Sequence, residues 1–184
     1  MQDAVTGRVR VGRPLSRRSE AALVRSAQGG SAEAAEELFR RHWPAAHRAA
    51  WLVVHDAAAA EDIAQEAFMS AFRSLGRFDR RRPLGPWLHR IATNRAIDHV
   101  RARKLRSEVA VGAEGPGEER PAGISDALLE ALAALSPEHR AVVALRFLFD
   151  YTPGEIARAL DMPRGTVNSR LRRALDRLGE VLEQ

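Results

Sequence analysis

The sequence contains no cysteine among its 184 residues, so it can form neither a disulfide framework nor a thiolate metal site. It also has no run of about 18 apolar residues, the minimum expected of a helix that spans a membrane. The N-terminus lacks the apolar core of a secretory signal peptide. Together these absences predict a cytoplasmic protein with no membrane insertion.

Lysine occurs once, at Lys104, and arginine supplies nearly all of the positive charge. The net charge of +5 and the pI near 10.9 favour a polyanionic partner. This charge is distributed unevenly along the chain. Residues 1–18 contain five Arg and one Asp and show no helical periodicity. We expect this segment to be a basic mobile tail.

The sequence also lacks the usual motifs of catalysis. Its six histidines are scattered, and His42 and His47 are five residues apart rather than the four of a helical metal pair. No glycine-rich phosphate loop and no nucleophile elbow is present. The carboxylates of Glu61, Asp62 and Glu66 have no histidine at ligand spacing. We therefore expect no catalytic residue, no metal and no cofactor, and an enzyme is a disfavoured alternative.

Apolar residues recur at helical spacing along residues 19–106 and again along residues 124–184. The segment between them, residues 107–123, is rich in Gly and Pro and contains four Glu. Such a composition gives no basis for a packed element and predicts a flexible acidic linker. The fold class is therefore all-α, with two small helical domains joined by a flexible linker.

Several helix boundaries can be read within the two domains. Ser31, Ser125 and Ser136 are placed to cap helices. Pro44 lies inside the helix that follows Ser31, where we expect a kink. A fourth helix is expected to begin near Trp87 and to end near Lys104.

Residues 151–178 have the pattern of a helix, a tight turn and a second, arginine-rich helix. Thr152, Pro153 and Glu155 form a capping box with proline at the first helical position. The break falls near Asp161, a residue type that tolerates left-handed geometry. The apolar face of the second helix is predicted to consist of Val167, Leu171, Ala174, Leu175 and Leu178. This pattern is typical of a helix-turn-helix, whose second helix enters the major groove of duplex DNA.

Positive charge is concentrated in residues 77–106, which contain ten Arg or Lys and two Asp, a local net charge of +8. This segment also carries Phe78 and Trp87, and aromatic rings beside basic charge are a common way to hold unstacked bases. Asn94, Asp98 and Arg101 share one helical stripe. The alternatives remain open, since Trp87 could anchor the core and Asp98 with Arg101 could form a simple surface ion pair.

Residues 82–104, RPLGPWLHRIATNRAIDHVRARK, resemble the promoter-melting region of sigma-70 family factors. The preceding residues 61–78, EDIAQEAFMSAFRSLGRF, resemble the polymerase-binding helix of the same family. Residues 127–178 are similar to the C-terminal domain that binds the upstream promoter element. With two domains in this order and a short linker, the resemblance is to the extracytoplasmic-function (ECF) group. It implies sigma region 2 in residues 19–106 and sigma region 4 in residues 124–184.

The resemblance implies a role for each cluster of charged residues. The acidic helix would dock on the clamp helices of the largest subunit of the RNA polymerase core, and its contact residues would be Glu61, Asp62, Gln65 and Glu66. The loop and basic helix after it would hold the non-template single strand of the downstream element. The residues implied there are Phe78, Arg80, Arg81, Arg82, Asn94, Arg95, Asp98, Arg101 and Arg103.

The helix-turn-helix would read duplex promoter DNA at the upstream element. Asn168, Ser169, Arg172 and Arg173 would contact bases there, since an Arg–guanine pair contributes about 1–3 kcal/mol of discrimination. Arg164 and Arg170 would contact phosphates. The full set of residues expected on this surface is Arg164, Thr166, Asn168, Ser169, Arg170, Arg172 and Arg173.

The function implied is that of a sigma factor, which binds polymerase core and directs promoter-specific initiation and strand opening. An anti-sigma factor is a further expected partner. The main alternative is an ordinary helix-turn-helix regulator that binds duplex DNA without polymerase. Such a regulator would have little use for an acidic docking helix followed by a single-strand-binding loop.

Overall fold

The structure, a computed structural model, describes residues 18–107 and 125–182. Within these ranges the regular structure is entirely helical, which confirms the predicted all-α fold of two domains. The predicted tail and linker lie almost wholly outside the described residues. A short 3-10 turn at Leu75–Arg77 follows the third helix. The α-helices are α1 (Glu20–Gln28), α2 (Ala32–Val54), α3 (Ala57–Ser74), α4 (Leu84–Ser107), α5 (Asp126–Ala133), α6 (Pro137–Phe147), α7 (Pro153–Ala159) and α8 (Arg164–Leu182).

The predicted helix starts are confirmed by side-chain caps. Ser31, Ser125 and Ser136 each accept a hydrogen bond from the backbone N–H three residues further on. At α7 the Thr152 and Glu155 side chains cap each other's backbone in a complete capping box. A cap of this kind stabilises a helix by about 1 kcal/mol, which matters most for short helices such as α5 and α7.

Helix α2 continues through Pro44 without ending there, and its backbone is helical from Ala32 to Val54. Helix α4 begins at Leu84, three residues before the predicted start. The backbone N–H of Leu84 donates to the Glu20 carboxylate at 2.6 Å. Pro86 is tolerated because N–H groups of the first helical turn have no partner within the helix. The early start therefore depends on a contact with α1, which local sequence does not reveal.

The N-terminal domain packs α1 to α4 around a core that includes Leu38, Phe68, Leu84 and Leu88. The C-terminal domain packs α5 to α8, with the closest contacts of α8 made to α5, α6 and α7. The two domains also touch each other. Helix α2 packs against α6, and α4 packs against α6 and α7. Buried side chains from both domains, among them Trp51, Ile97, Leu145 and Ile156, belong to one continuous cluster.

Two histidines are buried within this packed interior. His55 ends α2 in the left-handed conformation, with φ at 55°, and its N–H donates to the carbonyl of Trp51. Burial lowers the pKa of His55 to about 4, and the nearby charge of Arg140 lowers it further. Burial likewise lowers the pKa of His89 to about 4, with a smaller contribution from His42. Both rings are therefore neutral in the folded protein at pH 5 and above.

These histidines predict a loss of stability in mild acid. Below about pH 6.5 the unfolded chain binds protons that the folded chain excludes, so the free energy of unfolding falls as pH falls toward 4. Between pH 6.5 and 5 we expect a loss of about 1.5 kcal/mol for each histidine, because the limiting slope of about 1.36 kcal/mol per pH unit is reached only once the unfolded histidine is fully protonated. Urea unfolding at several pH values would measure it.

The His55→Asn variant should remove about half of this pH dependence, because asparagine does not titrate and tolerates left-handed backbone. Val53→Ala is a suitable control, since Val53 is fully buried beside it and has no proton to bind. That variant should lose stability equally at every pH. A His55→Asn protein with the full acid sensitivity of the parent would contradict the assignment.

Candidate functional site

The turn of the helix-turn-helix has the geometry that the sequence predicted. Asp161 adopts a left-handed backbone with φ at 49°, a conformation that aspartate tolerates better than most residues. The carbonyl of Pro163 then accepts the N–H groups of Thr166 and Val167, which opens α8. Buried Val167, Leu171, Ala174 and Leu178 hold α8 against its own domain. The turn therefore fixes which face of α8 points outward.

Some of the predicted base-reading side chains of α8 are free to reach a ligand and others are not. Asn168, Arg172 and Arg173 are exposed, as is Arg164 at the start of the helix. The Ser169 hydroxyl instead donates to the carbonyl of Thr166 at 3.0 Å. The half-buried guanidinium of Arg170 lies against the sulfur of Met162 at 3.8 Å. Of the residues predicted to contact the upstream element, Arg164, Asn168, Arg172 and Arg173 are thus exposed, whereas Thr166, Ser169 and Arg170 are partly buried.

One apolar residue of α8 was assigned to the wrong face. Leu175 was predicted to join the buried stripe, but 46% of its surface is exposed. The buried stripe runs through Leu171, Ala174 and Leu178, and Leu175 lies one residue beyond it. The 3.6-residue period of a helix identifies an apolar stripe but not its exact width. Whether a residue at the edge of the stripe is buried depends on the helices that pack against it.

Helix α3 presents the acidic face that the sequence predicted. Glu61, Asp62, Gln65 and Glu66 are all exposed, and the Gln65 amide donates to Glu61 at 3.1 Å. The opposite stripe of the helix is buried in the N-terminal core. Met69 follows on the acidic side and is 58% exposed, a feature that the sequence analysis did not single out. The outward face of α3 is therefore acidic with one large apolar side chain.

The loop before α4 holds an aromatic pair. The rings of Phe78 and Trp87 stack with centroids 4.7 Å apart. The amide of Gln28 donates to the carbonyls of Leu75 at 3.0 Å and Phe78 at 2.9 Å, which anchors the loop to α1. Both rings remain partly exposed. The loop thus offers a preformed aromatic platform in which each ring is already stacked on the other.

A cleft of about 720 Å³ opens at this aromatic pair. On the N-terminal side Arg77, Arg82 and Arg90 line it, and on the other side Arg158 of α7 does. Its size falls within the range of small-molecule sites, roughly 300–1,000 Å³. Sequence reasoning missed Arg77, Arg90 and Arg158, because only the fold brings them to one cleft.

The arginines of the loop differ in their surroundings. Arg81 pairs with Asp79 at 3.0 Å, and its guanidinium holds the pKa of that carboxyl below the usual range. Arg80 and Arg82 are exposed. Exposed guanidinium groups near an aromatic platform suit a backbone phosphate beside a stacked base.

The polar side chains of α4 are bound to groups elsewhere in the chain. The amide of Asn94 donates to the carbonyl of Ala159 at 3.2 Å. Arg101 pairs with Glu138 at 2.8 Å and more loosely with Asp98 at 3.7 Å. The predicted surface pair between Asp98 and Arg101 is therefore present, but it is the weaker of the two.

Two further ion pairs join the basic helix α4 to the acidic helix α3 and its N-terminal cap. Arg95 reaches Glu66 at 3.4 Å, and Arg103 reaches Asp56 at 3.5 Å. Asp56 also caps α3 by accepting the N–H of Ala59. The surfaces predicted for two different partners are thus connected by ion pairs across α3 and α4.

Metal and membrane sites were also sought in the described ranges, residues 18–107 and 125–182. No group of three or more His, Asp or Glu is arranged there to hold a metal ion. No helix in these ranges is both long and apolar enough to cross a bilayer. The chemistry of the described surfaces is that of charge, hydrogen bonding and aromatic stacking.

Family comparisons match both domains. The family model of sigma-70 region 2 matches residues 38–106, and that of sigma-70 region 4 matches residues 125–178. Among curated proteins, the ECF RNA polymerase sigma factor SigM of Mycobacterium tuberculosis is 35% identical over 90% of this chain and 85% of its own length. The RNA polymerase sigma factor CarQ of Myxococcus xanthus is 33% identical over 83% of this chain and 91% of its own.

Solved structures agree with these sequence matches. CnrH, in complex with the cytosolic domain of CnrY, superimposes with a TM-score of 0.66 at 25% identity, over 89% of this chain and 97% of that one. The sigma factor RpoE of Bartonella quintana, in complex with the anti-sigma factor NepR, also gives 0.66 at 25% identity, over 80% and 96%. The chain belongs to the sigma-70 family of RNA polymerase sigma factors, within its ECF group.

Proposed function

We propose that this protein binds the RNA polymerase core and directs it to promoters by recognising two DNA elements and helping to open the strands. Residues 19–106 would act as region 2, residues 124–184 as region 4, and residues 107–123 as their linker. The observation that carries the proposal lies in the N-terminal domain, where α3 presents an acidic face and the adjoining loop and α4 present a basic, aromatic one. A regulator that binds duplex DNA alone would need only the C-terminal domain.

The outward face of α3 is the proposed polymerase contact. Its acidic residues are exposed along a single helical stripe, so the face can lie along a partner helix of opposite charge. Such complementary charge speeds the encounter and fixes its orientation more than it adds affinity. Exposed Met69 would supply apolar contact within that charged surface. The contact residues proposed are Glu61, Asp62, Gln65 and Glu66.

The loop and basic helix are the proposed single-strand surface. Extruding a base from the duplex costs a few kcal/mol, so a cleft that binds the extruded base favours opening at a chosen sequence. The Phe78 platform lies at such a cleft, and the exposed guanidinium groups near it can hold phosphates. The residues proposed for this surface are Phe78, Arg80, Arg81, Arg82, Asn94, Arg95, Asp98, Arg101 and Arg103.

Helix α8 is the proposed reader of the upstream element. Exposed Asn168, Arg172 and Arg173 are free to reach base edges in the major groove, and exposed Arg164 can reach a phosphate. Thr166, Ser169 and Arg170 would adjust the surface from partly buried positions. Because Ser169 and Arg170 already contact other groups of the domain, we propose a smaller role for them in base recognition.

We propose no bond-forming chemistry for this chain, because the polymerase carries out the chemistry of transcription. The proposed site of action is therefore the cytoplasm, together with the polymerase.

The solved structures of CnrH and RpoE each contain a second protein, and NepR is named as an anti-sigma factor. We propose that this chain also has an anti-sigma partner, which would cover the acidic face of α3, the outward face of α8, or both.

Run-off transcription with bacterial RNA polymerase core tests the function and the polymerase contact together. On a library of promoter fragments, transcripts should start at defined sites only when core and this protein are both present. The Asp62→Lys variant reverses one charge on the α3 face. The new lysine would then meet the positive charge of the proposed partner helix. We expect at least about a tenfold loss of transcript at limiting protein, of the size that lost charge pairs produce at interfaces.

Glu36→Lys is the matched control for this variant. Glu36 is an exposed carboxylate on α2, outside the proposed surfaces, so the same change in net charge should leave transcription unchanged. Equal transcription with Asp62→Lys and the parent would reject the α3 contact. A shift of duplex DNA by the protein alone, with no initiation when core is added, would favour the free-regulator alternative.

Helix α8 yields a second prediction. Arg172→Ala and Arg173→Ala should each weaken initiation from a dependent promoter by about tenfold, within the 1–3 kcal/mol of an arginine–base contact. Arg177→Ala should have little effect, because Arg177 is an exposed α8 arginine that pairs with Glu180 at 2.8 Å. Run-off transcription on promoters altered base by base at the upstream element measures the effect. If all three variants lose activity equally and without regard to base, the arginines contact phosphates only.

A further inference from the structure

The cleft at the aromatic pair gathers arginines from separate parts of the chain. Arg77 lies in the 3-10 turn after α3, Arg82 in the loop before α4, Arg90 on α4 and Arg158 on α7. All four are exposed side chains that line one volume of about 720 Å³. Guanidinium groups that converge from several directions suit a phosphate-bearing ligand, because their planar donors match phosphate oxygens.

The charge of these four arginines is not taken up by ion pairs. None of the ion pairs within residues 18–107 and 125–182 involves any of them. The two carboxylates that line the cleft are bound elsewhere. Asp79 is held by Arg81 at 3.0 Å, and Glu155 accepts the N–H and the hydroxyl of Thr152 at 2.8 and 2.7 Å. The cleft therefore holds more guanidinium groups than free carboxylates.

The same cleft contains a surface on which an aromatic ring can stack. Phe78 and Trp87 both line it, and both are partly exposed. A nucleobase stacks on such side chains whatever its identity, since every base has a π-face. The cleft thus joins the two features that recognise a nucleotide, an aromatic platform for the base and guanidinium groups for phosphate.

A DNA strand and a free nucleotide make different demands on such a cleft. Single-stranded DNA carries one charge per nucleotide, so a base within a strand is flanked by one phosphate on each side. Four guanidinium groups around one base position exceed what those two phosphates require. A nucleoside di- or triphosphate concentrates several negative charges beside a single base, and it matches the composition of the cleft more closely.

We propose that this cleft binds a free nucleoside polyphosphate. It is here called the arginine cleft and is defined by Arg77, Phe78, Arg82, Trp87, Arg90 and Arg158. The base stacks at the aromatic pair, and the phosphates take the four arginines. Arg158 belongs to the C-terminal domain and the other residues to the N-terminal domain, so the ligand contacts both. The site goes beyond the proposed function, which assigns the aromatic platform to a base of the promoter strand.

Isothermal titration calorimetry on the full chain tests the two halves of the site. ATP is titrated in a buffer free of divalent cations, beside adenosine, which lacks the phosphates, and inorganic triphosphate, which lacks the base. ATP should bind at least about tenfold more tightly than either, because stacking and charge-assisted hydrogen bonds then act together. Binding of ATP no tighter than that of adenosine or of triphosphate overturns the proposal.

Two arginines outside the surfaces proposed for polymerase and promoter locate the ligand. Arg90→Ala and Arg158→Ala should each weaken ATP binding at least about fivefold and leave adenosine binding unchanged, since each removes a charged donor to phosphate. Arg177→Ala removes the same charge from α8, outside the cleft, and should bind ATP as the parent does. Circular dichroism confirms that each variant is folded. Equal ATP affinity in all three variants, weakened or not, overturns the arginine cleft.

Trp87 supplies a spectroscopic test of stacking. ATP should quench part of the tryptophan fluorescence, and the quench should disappear in Trp87→Phe while calorimetric binding persists, because phenylalanine keeps an aromatic face. Trp43 and Trp51 pack in the hydrophobic clusters and give an unchanged background. A quench that survives in Trp87→Phe places the ligand elsewhere and contradicts the proposal.

The outcomes distinguish this site from the proposed function. Run-off transcription that depends on the protein, without ATP binding in calorimetry, overturns the arginine cleft and leaves the promoter function intact. ATP binding that requires Arg158, in a protein that supports no initiation with polymerase core, upholds the arginine cleft and overturns the proposed function.

Discussion

Helix α4 packs against α2, α3, α6 and α7, and the rest of the structure depends on that position. Its sequence offers little of its own toward stability, because charged side chains lie on most sides of a narrow apolar stripe that contains Leu88, Ala92 and Ala96. A helix of this kind is marginal in isolation, and its neighbours supply the stabilising burial. Glu20 of α1 even sets where it begins. The strongly basic surface therefore exists only because tertiary packing holds it in place.

The charge on α4 is balanced by carboxylates from other elements. Glu66 and Asp56 of the α3 region and Glu138 of α6 each accept an arginine of α4. Burial opposes the ionised form of Glu138, but hydrogen bonds and Arg101 outweigh it and leave its pKa below the ordinary value. Exposed pairs contribute only about 0–1 kcal/mol each. They can therefore be exchanged for contacts with another charged group at little free-energy cost.

The features that sequence predicted are those set by local chemistry. The Thr152 capping box, the left-handed turn at Asp161 and the exposed acidic stripe of α3 all follow from residues a few positions apart. The features it missed depend on distant partners. The start of α4 requires Glu20, 64 positions away, and the partner of Asn94 lies 65 positions away in the other domain. The exposure of Leu175 was missed for a similar reason, because the packing of α8 and not its sequence period determines whether a residue at the edge of the apolar stripe is buried.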